Sequence, residues 1–200
     1  MNRSLSTLAL AATLLMAGAA HAEPAKAFGT EQARVTFHAD TPMQAIDATT
    51  TEGAFTYDAN TGAFTAKIPV ASFKFQNKQM EQNFQSGHVA VNEPGAKDAA
   101  GQPTFPNKFA TLTGKLDKTF DTTKEGVNEV SLKGQFAFHG VTKEKAFKGT
   151  VTVKGTDLVL NAKFDLAPKD FGVPLPKLGD QELGAMVNIV VDATLSAAKP

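Results

Sequence analysis

From Ala33 onward, apolar and polar side chains alternate with a period of two. Val35, Phe37 and Ala39 share one side of the chain, and Arg34, Thr36 and His38 share the other. The same alternation runs through residues 64–70, 112–116, 130–138, 147–153 and 158–166. Period-two patterning marks strands with one face buried and one in water. Residues 45–57 supply a further strand, ending in Phe55-Thr56-Tyr57. Residues 185–196 supply the last. There Val187, Ile189, Val191 and Leu195 fall on one face, but Met186 and Val190 occupy the other, so the pattern does not decide which side points inward. Gly- and Asn-containing turns separate these runs at Asp58-Ala59-Asn60-Thr61-Gly62, His139-Gly140-Val141-Thr142-Lys143 and Lys154-Gly155-Thr156-Asp157. Connections this short join antiparallel neighbours. Eight such strands predict a closed barrel or a sandwich, and closure removes the exposed edges that a sandwich retains.

One segment breaks the period. Residues 77–87 are rich in helix formers, start with an Asn suited to capping and end in Gly. Met80 and Phe84 lie four apart and so share a face. The stretch 92–106, dense in Gly, Ala and Pro, reads as a loop.

The first 22 residues stand apart. Arg3 precedes an apolar run from Leu5 to Ala20, which closes on Ala20-His21-Ala22. A positive start, a short apolar core and a small-x-small site predict a secretory signal peptide cleaved near Ala22. The expected organisation is residues 1–22 as signal and 23–200 as one barrel domain, periplasmic or secreted, without a transmembrane segment. Removing Arg3 turns the 20 basic and 20 acidic side chains of the whole sequence into 19 and 20. A near-neutral chain argues against nucleic-acid binding.

Catalytic chemistry is sparse. The chain has no cysteine, and no Gly-x-Ser-x-Gly, His-Glu-x-x-His, P-loop or dinucleotide motif occurs. His38, His88 and His139 are scattered, and no metal site or cofactor is expected from them. Asp170-Phe171-Gly172 reads as a turn after a strand, with Asp170 accepting backbone hydrogens. Asp165 falls on the polar side of its strand. The expectation is a protein that is not an enzyme.

The positive signal is aromatic. The sequence holds 15 Phe, one Tyr and no Trp. An inward row of Phe37, Phe64, Phe136, Phe138, Phe147 and Phe164 either lines a cavity or fills a core. Small barrels do both. The inward small residues Gly114, Gly134, Gly149, Ala66 and Ala162 favour a cavity, one that would take a mostly hydrocarbon ligand. The candidate ligand-binding residues are Phe37, Phe64, Ile68, Leu112, Phe136, Phe138, Val151, Leu160, Phe164 and Phe171, with Met80 and Phe84 near the entrance. The alternative is a filled-core structural or stress-related interaction module with no ligand.

Several stretches, in order, resemble the YceI-like family of exported proteins. Val35-Thr36-Phe37-His38 is similar to its opening strand, and Ile68-Pro69-Val70-Ala71-Ser72-Phe73-Lys74-Phe75 to the approach to its helix. Met80-Glu81-Gln82-Asn83-Phe84 resembles that helix, with Asn83 where His is common. Phe105-Pro106-Asn107-Lys108-Phe109 is similar to a Tyr-Pro-x-x-x-Phe strand opening. Gly134 to Lys143 resembles the Gly-x-Leu-x-x-x-Gly-Val-Thr-Lys hairpin and is the most specific match. Phe164 through Pro174, then Val187 to Val191, resembles the last two strands, without the Arg that many members carry before the Asp of Asp170-Phe171-Gly172. Residues 85–103 are longer than the family's usual link. The resemblance implies an all-β fold: a single antiparallel eight-stranded lipocalin-like β-barrel with one short helix after the third strand. It also implies an isoprenoid quinone, polyprenyl phosphate or fatty-acid derivative held inside, and no catalysis.

Overall fold

The computed structural model describes residues 27–198 apart from 43, 179 and 183; the expected signal peptide lies outside them. In chain order the elements are β1 (Ala27–Ala39), β2 (Ile46–Asp58), β3 (Ala63–Pro69), the two-residue β4 (Lys74–Phe75), α1 (Lys78–Gln82), β5 (Phe109–Leu116), β6 (Gly126–Phe138), β7 (Val141–Lys154), β8 (Asp157–Leu166), the short pair β9 (Lys177–Leu178) and β10 (Gln181–Glu182), and β11 (Val187–Ala197). Eight of these strands form one antiparallel ring in the order β1-β11-β8-β7-β6-β5-β3-β2, closed by pairing of β2 with β1. The barrel and the single helix after the third strand are as the sequence predicts.

Alternation continues around the ring. Leu158 and Leu166 of β8, Leu132 and Phe136 of β6, and Phe147, Val151 and Val153 of β7 are buried, and their neighbours face out. On β11 the odd positions point in, with Val191, Ala193 and Leu195 buried. Polar pairs on the outer face fix that choice. Asn188 Nδ2 donates to Asp165 Oδ1 at 2.9 Å, and Asn161 Nδ2 donates to Asp192 Oδ1 at 2.7 Å. Cross-strand threonine pairs, Thr36–Thr49 and Thr56–Thr65, decorate the outside of β1, β2 and β3.

Several strands exceed their sequence-based bounds. β1 begins at Ala27 and is irregular between Thr30 and Val35. The polar run Thr30-Glu31-Gln32 breaks the alternation there, and the register shifts mark β-bulges. β7 begins at Val141, because Thr142, Lys143 and Glu144 pair with β6 while remaining exposed. The β6–β7 connection is a two-residue turn in which His139 (φ 50°) and Gly140 (φ 72°) both take positive φ. That geometry suits the right-handed twist of a hairpin.

The helical segment differs from expectation in kind. Asn77 caps α1, its side chain accepting from Gln79 N at 2.8 Å. After Gln82 the chain widens into a π-type turn, Asn83–His88. The segment ends at Ala90 (φ 51°), not at Gly87. Val91 N donates back to Gln85 O at 2.9 Å, and Val89 and Val91 are buried beneath the turn. Burying two valines at this exit is what places the left-handed residue three positions later than the Gly.

Candidate functional site

The barrel interior is not packed solid. Two apolar chambers lie along its length, with volumes of about 110 Å³ and about 330 Å³. The smaller, inner chamber is walled by β2, β3, β5, β6, β7 and β8 and floored by Phe120 from the β5–β6 loop. The larger, outer chamber lies beneath α1 and the π-type turn, and the 173–176 segment also walls it. Ile68, Phe136, Phe164 and Val191 line both chambers and form the wall between them. All phenylalanines but Phe28, Phe105, Phe109 and Phe171 line one or both.

The candidate residues distribute as follows. Phe64, Leu112, Val151 and Leu160 line the inner chamber. Phe37, Met80, Phe84 and Phe138 line the outer one, and Ile68, Phe136 and Phe164 belong to both. Phe171 lines neither. It is 0% exposed and sits behind the wall, against Phe136 (ring centroids 5.3 Å) and Phe138 (6.0 Å). Its role here is to hold those two rings in place. Further lining comes from Phe55, Tyr57, Phe73, Phe75 and Phe120. Phe55 and Tyr57 stand at inward positions of a strand whose alternation is visible in the sequence. Phe120 lies in a loop and carries no periodic signal.

The outer chamber is an aromatic cluster. Phe37 contacts Phe73, Phe75 and Phe84 with centroids 5.5–5.6 Å apart, and Phe75 and Phe84 are 5.1 Å apart. These spacings match the tilted and edge-on packing that aromatic quadrupoles favour. Below them the buried pair Thr50 Oγ1–Ser72 Oγ (2.6 Å) ties the turn after β3 to β2, and Ser72 also donates to Pro69 O. Buried polar groups are thereby satisfied without opening the apolar wall.

Polar side chains at the linings are few. Asn83 and His88 border the outer chamber; Tyr57 and the solvent-exposed Lys148 border the inner one. His88 Nδ1 lies 2.9 Å from Pro174 O, and His139 Nδ1 lies 3.0 Å from Phe171 O. The histidines thus bond to separate backbone sites. Among the described residues no three His, Asp or Glu side chains converge in a metal-binding cluster. Asp170 pairs with Lys143 at 3.6 Å rather than with backbone hydrogens. Asp165 is exposed and accepts from Asn188.

The inward glycines prove to have another purpose than spare room. Gly114 and Gly134 pair in register, and a Cβ on either would meet the opposing backbone at 2.4–2.5 Å. A Cβ on Gly149 would lie 2.6 Å from Asn161 O. These positions let neighbouring strands press together.

Two titratable groups near the outer chamber are shifted. Hydrogen bonds donated to the carboxylates of Asp47 (2.6 Å) and then Asp40 (3.1 Å) raise the His38 pKa above its ordinary 6.5, with slight burial opposing. The Lys78 ammonium, 2.6 Å away, lowers the Glu81 carboxyl below its ordinary 4.5, with burial opposing and Lys74 assisting. Linkage gives the signs. The His38 contribution is complete below pH 6.5 and fades as pH rises through the elevated pKa. The Glu81 contribution is complete above pH 4.5 and fades as pH falls through the depressed one. Melting of wild type against His38→Gln should therefore show a wild-type advantage at pH 5.5 that shrinks toward pH 9. A difference that is flat across this range would contradict the His38–carboxylate bridge.

A closed antiparallel barrel with an apolar interior and one capping helical segment is a hydrophobic-ligand scaffold. The chain belongs to the YceI-like domain family, whose family model matches residues 27–195. Its fold is similar to that of a polyisoprenoid binding domain from Saccharophagus degradans implicated in plant cell wall breakdown, at 9% identity and TM-score 0.66, covering 87% of this chain and 99% of that one. It is also similar to BcnA of Burkholderia cenocepacia, at 15% identity and TM-score 0.60, covering 82% and 96%. The YCEI protein of Campylobacter jejuni aligns at 12% identity and TM-score 0.51, covering 98% and 94%. No curated protein sequence matches this chain significantly.

Proposed function

We propose that this protein is an exported, non-enzymatic carrier that sequesters a long, mostly hydrocarbon ligand inside its barrel. The ligand is of the isoprenoid quinone, polyprenyl phosphate or fatty-acyl class. The observation that carries this reading is the pair of apolar chambers set end to end and walled by aromatic and aliphatic side chains. Each methylene taken from water there contributes ~0.8 kcal/mol, so affinity grows with the length of chain that a chamber buries. A non-catalytic role is supported by the linings, where among the described residues Tyr57, Lys148 and His88 are the only ionisable side chains. Family membership supports the same class of ligand, since a polyisoprenoid binding domain shares the fold. The signal-like residues 1–22 support export to the periplasm or beyond. No helix among the described residues is long and apolar enough to cross a membrane.

The test is native purification of the exported protein followed by lipid mass spectrometry. The expected result is an N-terminus at Glu23 and a co-purifying chain lipid, or saturable uptake of an added isoprenoid quinone. Repeated recovery without lipid, and without uptake, would overturn the carrier reading.

A further inference from the structure

The outer chamber is the larger one, about 330 Å³, and its surface is almost wholly apolar. Its two ends differ. Toward solvent it is bordered by the exposed residues Asn83, Pro174 and Pro176, and by Met80, an unbranched side chain that adapts its shape. Toward the inner chamber it ends on Ile68, Phe136, Phe164 and Val191. Each of these four is restrained. Phe136 meets Phe147 (6.0 Å) and Phe171 (5.3 Å) edge-on, and Phe164 meets Phe147 edge-on at 4.8 Å. Ile68 and Val191 are β-branched and stiff at χ1. Volume sets what fits between the two ends. A dry apolar cavity of about 150 Å³ takes up benzene, so each carbon needs roughly 25 Å³. By that measure the outer chamber holds about 13 carbons, and the inner chamber, at about 110 Å³, holds about four.

We propose that the wall of Ile68, Phe136, Phe164 and Val191 is a chain-length stop, so that the outer chamber takes one tail of about 13 carbons while the polar head stays outside. This deepens the carrier reading and rests on it. The head is excluded because the chamber's surface offers almost nothing for it to hydrogen-bond, and a polar group buried without a partner is costly. Burial of the tail then supplies the affinity, and the wall decides how much tail is buried. Of the ligand classes above, a fatty-acyl derivative or a short isoprenoid fits this capacity. A much longer polyprenyl chain does not, because most of its carbons would remain in water.

The experiment uses the mature protein and its Ile68→Ala variant. Unbranched primary alcohols of increasing length each displace a fluorescent polyene probe. For wild type, affinity should rise about fourfold per added methylene, up to about 13 carbons, and level off beyond that length. In Ile68→Ala the break should move about four carbons higher, because the inner chamber comes within reach. A wild-type series that climbs well past this length without a break overturns the stop and leaves the carrier reading standing. So does a break that stays in place in a folded Ile68→Ala protein. The wild-type series decides the length limit by itself if the variant does not fold. If no alcohol of any length displaces the probe from wild type, the carrier reading falls and the stop falls with it.

Discussion

Phe136→Ala should lower unfolding stability by about 3–5 kcal/mol and, in the same protein, convert two chambers into one. Phe136 is 8% exposed, lines both chambers, and meets Phe147 at 6.0 Å and Phe171 at 5.3 Å, both nearly edge-on. Removing the ring therefore deletes a buried contact set and takes down part of the dividing wall. For a domain of this size the loss corresponds to a fall in melting temperature of roughly 10 °C. The functional consequence separates a carrier from a solid core. A carrier with the wall removed should bind a straight chain more weakly, through lost contacts, and admit a wider ligand than wild type does. Saturating that ligand should restore part of the melting temperature, because a ligand present at 100 times its Kd adds about 2.7 kcal/mol to the bound fold. Displacement assays with chains of increasing girth, run beside thermal melts, measure both effects. A variant that melts with wild type, or one that loses stability without any change in ligand preference, contradicts the two-chamber arrangement.

The barrel was legible in the sequence because one face of every strand is wet. Under that condition period-two alternation survives in the residues themselves, and eight runs of it with short turns leave few topologies open. β11 was the strand where alternation was ambiguous. Val190 puts an apolar group on its outer side, with Met186 just ahead of the strand, and only the partners of Asn188 and Asp192 on β8 resolve the register. Those partners are remote in sequence. Most of the lining was legible for the same reason as the strands, since an inward position is a periodic one. Phe120 escaped because it reaches the chamber from a loop. Phe171 was misplaced because aromatic type alone does not distinguish a ring on the cavity surface from one holding that surface in place. The helical exit at Ala90 escaped because the two valines beneath it, not the local glycine, set where the turn ends.

Glycine shows the limit of composition most sharply, and it supports the second large effect. Gly134→Ala should destabilise the barrel by about 3 kcal/mol or more, or prevent folding, although it adds a single methyl group. Were inward glycine simply space left for a ligand, Ala would merely trim the cavity. In the structure, Gly134 faces Gly114 across the β5–β6 ladder, and an added Cβ would lie 2.5 Å from Thr113 O and 2.7 Å from Gly114 Cα. Both neighbours are backbone, so neither can swing away as a flexible side chain would. Relief requires the strands to move apart, which strains their hydrogen bonds and everything packed on the inner face; overpacking of this sort costs typically 1–3 kcal/mol and more where the surroundings are rigid. Gly114→Ala meets the Lys133 carbonyl at 2.4 Å and should behave alike. The two substitutions act on one contact, so the double variant should lose less than the sum of the singles. Once the strands have separated for the first methyl, the second meets less resistance. Gly87→Ala is the control, since its Cβ would have nothing within 4 Å and its φ is not positive; it should melt with wild type. Chemical denaturation of the four variants reads these differences directly. A Gly134→Ala protein within about 1 kcal/mol of Gly87→Ala would mean that β5 and β6 do not press together as described, and the glycines would return to being empty space.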